Sequence, residues 1–146
     1  MTPTDVDLIR SSWTGVEPIA DTAAGLFYDR LFALDPAIER LFRRTDMAGQ
    51  RKILMQTLTV VVKSLDKLDQ IVPAVQALGR RHAGYGVREP HYATVGEALL
   101  WTLEQGLGEA FTSDVRAAWT TAYTTLATVM IEAASTDAET EVEAAA

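Results

Sequence analysis

The sequence predicts an all-α fold. Apolar residues recur at three- and four-residue spacing along almost the whole chain. Strong alternating β-type runs are absent. Glycine and proline are sparse, with 9 and 5 in 146 residues, and most fall where one apolar stripe stops and the next begins. The length suits one domain with a true core.

The expected elements follow in order. Thr4 caps a first helix, with Asp5 and Asp7 in its positive first turn and Val6, Ile9, Trp13 and Val16 as its buried stripe. Pro18 loosens or ends it. A second helix runs from about Asp21 to Leu34 and is apolar on more than one side, so it packs on several neighbours. Tyr28 sits on that buried side, and its hydroxyl needs a partner there. Asp35-Pro36 starts a short helix, PAIERLF, ending at Leu41-Phe42. RRTDMAG reads as a polar loop, after which Gln50 opens a helix with Leu54, Leu58 (or Thr57), Val61 and Leu65 on its stripe. A short acidic link, Asp66 to Gln70, leads into the helix that carries His82. Gly84 and Gly86 end that helix. Pro90 starts the next, which Gly106 and Gly108 close. Thr112 or Ser113 caps the last long helix, with Val115, Trp119, Tyr123, Leu126 and Met130 on its stripe. These elements form one all-α domain over residues 1–134. The remainder, 135–146, is an acidic tail without a packing pattern, expected to be disordered.

Composition narrows the function. The chain has no cysteine, which removes disulfides, thiolate catalysis, zinc–thiolate sites, iron–sulfur clusters and thioether-linked cofactors, a bilin included. A net charge of −7 argues against nucleic acid as the main partner. No apolar run reaches the length of a membrane span. The first residues lack the basic start and apolar core of a signal peptide. A cytoplasmic protein with no membrane attachment is the expectation.

The stretch from Val75 to Val87, VQALGRRHAGYGV, holds the most informative residue. His82 continues the apolar line of Ile71, Val75 and Leu78, while Arg80 and Arg81 point elsewhere. An imidazole at the end of an apolar face has two readings. It is a core histidine satisfied by a backbone carbonyl, or it is a ligand for iron, zinc or copper. His91, in a first turn beside Pro90, reads as a solvated helix-start residue.

LFYDRLF around Tyr28, PAIERLF at Phe42, QRKILMQTL from Gln50, LGRRHAGYGV around His82, PHYATVGEALL after it and AWTTAYTTLATVM near the end occur in an order and spacing that resemble the globins. The resemblance is to bacterial single-domain globins related to the haem domain of flavohaemoglobins, including the Hell's Gate globin type. It covers about residues 4 to 134, and it implies a three-over-three helical sandwich around a non-covalent b-type haem.

By that resemblance His82 matches the proximal iron ligand. Tyr28 and Gln50 match the distal polar pair that binds the gas. Phe42 matches the aromatic packed on the haem face, and Leu54 the apolar residue one turn after the distal glutamine. Val87 matches a residue at the haem edge, and Tyr92 a tyrosine on the proximal side. One position departs from the pattern. Ala134 stands where a glutamate would support the proximal histidine, and Glu132 would face about 200° away on a helix. A missing partner of this kind lowers the electron donation of the ligand.

The resemblance implies reversible, tight binding of dioxygen and other diatomic gases, for storage, delivery or scavenging. Its alternatives are nitric oxide dioxygenation with electrons from an external reductase, and gas sensing.

Overall fold

The computed structural model describes the backbone of residues 1–145 and the side chains of residues 1–135. All but Ser135 of the expected acidic tail therefore lies outside the described side chains. Among the described residues seven α-helices follow one another: α1 Pro3–Val16, α2 Ala20–Leu34, α3 Pro36–Glu39, α4 Met47–Lys63, α5 Leu68–Gly84, α6 Glu89–Leu107 and α7 Ser113–Ala145. Short 3₁₀ turns sit between several of them, and the described residues contain no strand. Six of the helices described have 14 residues or more. The 3₁₀ turn Glu17–Ile19 around Pro18 makes α1 and α2 separate elements. No helix among the described residues is long and apolar enough to cross a membrane.

Several boundaries differ from expectation for local reasons. Thr2, not Thr4, caps α1. Its hydroxyl accepts the Asp5 N–H at 3.1 Å, and the Asp5 carboxylate accepts the Thr2 N–H at 3.1 Å. Pro3 fits this box because the first helical position needs no N–H. Asp46 caps α4 by accepting the Ala48 N–H at 3.2 Å, so the helix starts three residues before Gln50. The helix also stops earlier than its apolar stripe suggests, at Lys63, and a 3₁₀ turn Leu65–Lys67 replaces its last turn. Gly84 remains helical. The left-handed residue that releases the chain after α5 is Gly86, at φ 94°. Gly106 likewise lies inside α6, and Gly108, at φ 56°, ends it.

The core is assembled mainly by α5 against α7, α2 against α6, and α1 against α7, with α4 laid on α2 and α1. Trp13 and Trp119 pack together with ring centroids 5.8 Å apart. Both indoles are buried, and both N–H groups are satisfied. Trp119 donates to the Ser12 hydroxyl at 2.9 Å, and Trp13 to the Thr59 hydroxyl at 3.2 Å. These two bonds tie α7 and α4 to α1, as buried polar groups require.

At Gly79 the helices α5 and α7 meet almost backbone to backbone. A Cβ there would lie 2.5 Å from the Met130 carbonyl oxygen and 2.6 Å from its Cα. Only glycine permits this crossing, one turn before His82.

Candidate functional site

Tyr28 comes from the middle of α2 and is only 5% exposed. Its ring is held on three sides by aromatics: Phe27 at 5.0 Å, Phe42 at 5.6 Å and Phe32 at 5.9 Å between centroids. Phe42, at the end of the 3₁₀ turn that follows α3, also packs on Phe32 at 5.4 Å. The short helix after Asp35-Pro36 thus delivers an aromatic against the Tyr28 ring. Asp35 sets that helix by accepting the Ala37 N–H at 3.0 Å.

Gln50 reaches the same tyrosine from α4. Its Nε2 donates to the Tyr28 hydroxyl oxygen at 3.1 Å. The start of α4 makes this possible, since the Gln50 backbone N–H donates to the Asp46 carbonyl at 2.9 Å and fixes the residue in the first turn. The phenol accepts this bond and keeps its own proton for another acceptor. Burial pushes the Tyr28 pKa up, and the bond from Gln50 only partly opposes it. The hydroxyl is therefore a protonated donor throughout neutral pH.

His82 lies in the last turn of α5 and is half-buried. Its Nδ1–H donates to the Leu78 carbonyl, four residues back, at 2.8 Å. That bond selects the tautomer and leaves Nε2 with a lone pair. Burial lowers the imidazole pKa, the charge of Arg81 lowers it further, and the bond to Leu78 opposes both. The neutral, ligating form is favoured. His91 has a different task. Its Nδ1 accepts the Arg88 backbone N–H at 2.9 Å, closing the start of α6.

The other expected residues fall in two groups. Leu54 is half-buried on α4, packed against the core alongside Leu58 and Val61. Val87 follows α5, and its N–H donates to the His82 carbonyl at 3.0 Å. Val87 and Tyr92 line a cavity of about 180 Å³ with Ala83, Glu89, Ile131, Ala134 and Ser135. Ala134 thus faces the cavity that Tyr92 faces, while Glu132 is exposed and does not line it. Burial raises the Tyr92 pKa.

Tyr123 was not among the expected site residues. Its hydroxyl donates to the Tyr92 backbone carbonyl at 2.6 Å, joining α7 to α6. Burial, with Tyr92 nearby, raises its pKa strongly. Its place on the α7 stripe was readable, but the partner, 31 residues away, was not. Gly79 was also missed. A glycine inside a helix on the buried side, three residues before a candidate ligand, is the available signal for a close helix crossing.

The protein alone leaves part of its apolar surface half-covered. On α4 only Val62 is buried, and on α5 only Val75 and Gly79. A void of about 40 Å³ lies beneath α4, lined by Leu58, Val61, Leu99, Tyr123 and other apolar residues. Such a void stays dry.

A family profile for globins matches residues 25–130. The chain belongs to the globin family. The fold is the globin fold, and the cofactor of that family is haem. Among curated relatives, this globin is 31% identical over 128 residues to a flavohemoprotein of Bacillus subtilis, covering 86% of this chain and 32% of that protein. It is 31% identical over 139 residues to a neuroglobin of Tetraodon nigroviridis, covering 86% of this chain and 87% of that one. It therefore spans about a third of the flavohemoprotein but most of the neuroglobin. Among solved structures, a hexacoordinated haem protein from an anhydrobiotic tardigrade superimposes with a TM-score of 0.81 at 16% identity, over 92% of this chain and 95% of that one.

The residues present fit a haem. One neutral imidazole has its ligating nitrogen unencumbered, and the apolar faces of α4 and α5 are left half-covered by the rest of the protein. No group of three or more metal-ligating side chains competes with it among the described residues.

Proposed function

We propose that this globin binds dioxygen reversibly and tightly on a b-type haem. His82 is the single protein ligand to the iron. Tyr28 and Gln50 are the polar pair at the gas site. Phe42 and Leu54 wall it, and Val87 and Tyr92 bound the side of His82. The haem supplies an iron centre that binds a diatomic gas and polarises it. Every other contribution comes from the chain.

The observation that carries the reading is the 3.1 Å bond from Gln50 Nε2 to the Tyr28 hydroxyl oxygen inside an aromatic cage. A phenol that accepts from an amide becomes a better donor, because hydrogen bonds in a chain polarise one another. Its proton is free to meet an acceptor carrying partial negative charge. With haem held by His82, bound dioxygen would supply such an acceptor beside Tyr28, and carbon monoxide would do so far less. The pair therefore favours dioxygen. The aromatic cage adds selectivity by holding the phenol in place without offering it another acceptor. Position 50 carries no histidine, so the distal side has no imidazole there to close on the iron.

His82 enters the site preorganised. Its bond to a neutral carbonyl sets ring orientation and tautomer, yet pushes less electron density through the imidazole than a carboxylate would. That suits gas binding better than cleavage of an O–O bond.

The test is haem titration of the apoprotein, followed by absorption and resonance Raman spectra. Wild type takes up one haem and shows a ferrous five-coordinate, histidine-ligated spectrum. His82→Ala loses that spectrum. An unchanged spectrum and haem affinity in the variant would refute the assignment.

A further inference from the structure

The chain is acidic overall, yet one part of its surface is basic. The stretches 39–46 and 80–89 carry six arginines against three carboxylates, a balance of +3, which leaves −10 for the rest of a chain at −7. The fold brings the two stretches together. Leu41 lies against Gly86, where a Cβ would meet Leu41 Cδ2 at 3.2 Å. Arg40, Arg43, Arg44, Arg81 and Arg88 are all exposed, and none of the five forms an ion pair with a described residue. Among them stand two exposed apolar side chains, Tyr85 at 68% and Leu41 at 36%. The Tyr85 ring is 6.5 Å from the His82 ring, centroid to centroid.

An aromatic and an aliphatic side chain among exposed arginines make the anatomy of a docking surface, with an apolar centre and a charged rim. Its field attracts an anionic partner against the repulsion of the remaining molecule. A long polyanion would run onto the −10 remainder, whereas a compact acidic protein would meet only the patch. The position tells what such a partner does. It sits one ring contact from the residue proposed to hold the iron.

We infer that the surface of Arg40, Arg43, Arg44, Arg81 and Arg88 around Tyr85 and Leu41 docks an acidic flavoprotein that donates electrons to this globin. The inference rests on the haem reading above. One electron leaves the anionic flavin hydroquinone, which becomes the neutral semiquinone. Ferric haem becomes ferrous, and no proton is transferred.

The experiment mixes the ferric holoprotein with hydroquinone-state flavodoxin, an acidic flavoprotein, anaerobically in a stopped-flow instrument over a range of ionic strength. The rate of reduction should fall as salt rises, opposite to the trend set by two net-negative bodies. The triple variant Arg43→Glu, Arg81→Glu, Arg88→Glu should lose about tenfold or more of the low-salt rate. It should also lose the salt slope, with haem spectrum and haem dissociation rate unchanged. A wild-type rate that rises with salt overturns the proposal, as does a triple variant reduced as fast as wild type. Faster haem loss with an unchanged salt slope also overturns it, and assigns these arginines to the haem carboxylates instead. A protein that takes up no haem, seen in the spectrum before mixing, fails the parent reading and this one together. A haem-loaded protein with the wrong salt trend fails only this one.

Discussion

Replacing Tyr28 with phenylalanine isolates one hydroxyl. The three aromatic contacts of its ring, at 5.0–5.9 Å, persist in phenylalanine, so the cage stays filled and the helix α2 stays packed. What disappears is the donor and the acceptor of the 3.1 Å bond from Gln50. Gln50 is only half-buried, and its amide can turn to water, so the cost to the fold is small. The cost to the bound gas is not. A hydrogen bond to a charged acceptor is worth about 1.5–3 kcal/mol. Its loss should raise the dioxygen dissociation rate by about 10- to 100-fold, since each 1.4 kcal/mol is a factor of ten. Gln50→Leu should act in the same direction but more weakly, because the amide polarises a phenol that remains in place. The double variant should then resemble Tyr28→Phe alone, with a coupling of at least about 0.5 kcal/mol between the two positions. Dissociation rates measured by displacing dioxygen with carbon monoxide in a stopped-flow instrument supply all four corners of the cycle. Rates for both single variants within about twofold of wild type would refute the distal assignment. Full additivity would show that the bond between Gln50 and Tyr28 is not kept when the gas binds.

Three further outcomes are expected. Ala134→Glu places a carboxylate at the cavity lined by Tyr92 and should raise the iron–histidine stretching frequency of the ferrous haem protein; an unchanged Raman band with haem bound would show that position 134 does not reach the His82 side. Gly79→Ala forces a methyl group to within 2.6 Å of the Met130 backbone and should destabilise the apoprotein by about 3 kcal/mol or more in urea titration; a loss below about 0.5 kcal/mol would mean that α5 and α7 separate freely. Burial raises the pKa values of Tyr28, Tyr92 and Tyr123, so above about pH 10 the unfolded chain releases protons before the folded one and stability should fall as pH rises. Tyr123→Phe should flatten that fall, and an unaltered pH slope in denaturant titrations would contradict it.

Read as a sequence, this chain declares its helices through apolar spacing, and it declares His82 through an imidazole on an apolar line. Those are local properties. A helix face is fixed by residues three and four apart, and the Nδ1–H of His82 finds its acceptor in the carbonyl of Leu78 on the same helix. Helix starts were less legible, because Thr2 and Asp46 outcompete Thr4 and Gln50 through side-chain caps whose geometry depends on which residue leaves the helical conformation first. Tyr28 and Gln50 could be named from the order and spacing of motifs, but their 3.1 Å bond spans 22 residues and exists only because α4 is laid on α2. The same holds for the Tyr123 bond to Tyr92, the crossing at Gly79 and the arginine surface joined across Leu41 and Gly86. Each depends on where one helix meets another. That is set by the summed packing of the core, a quantity carried by no single stretch of the chain.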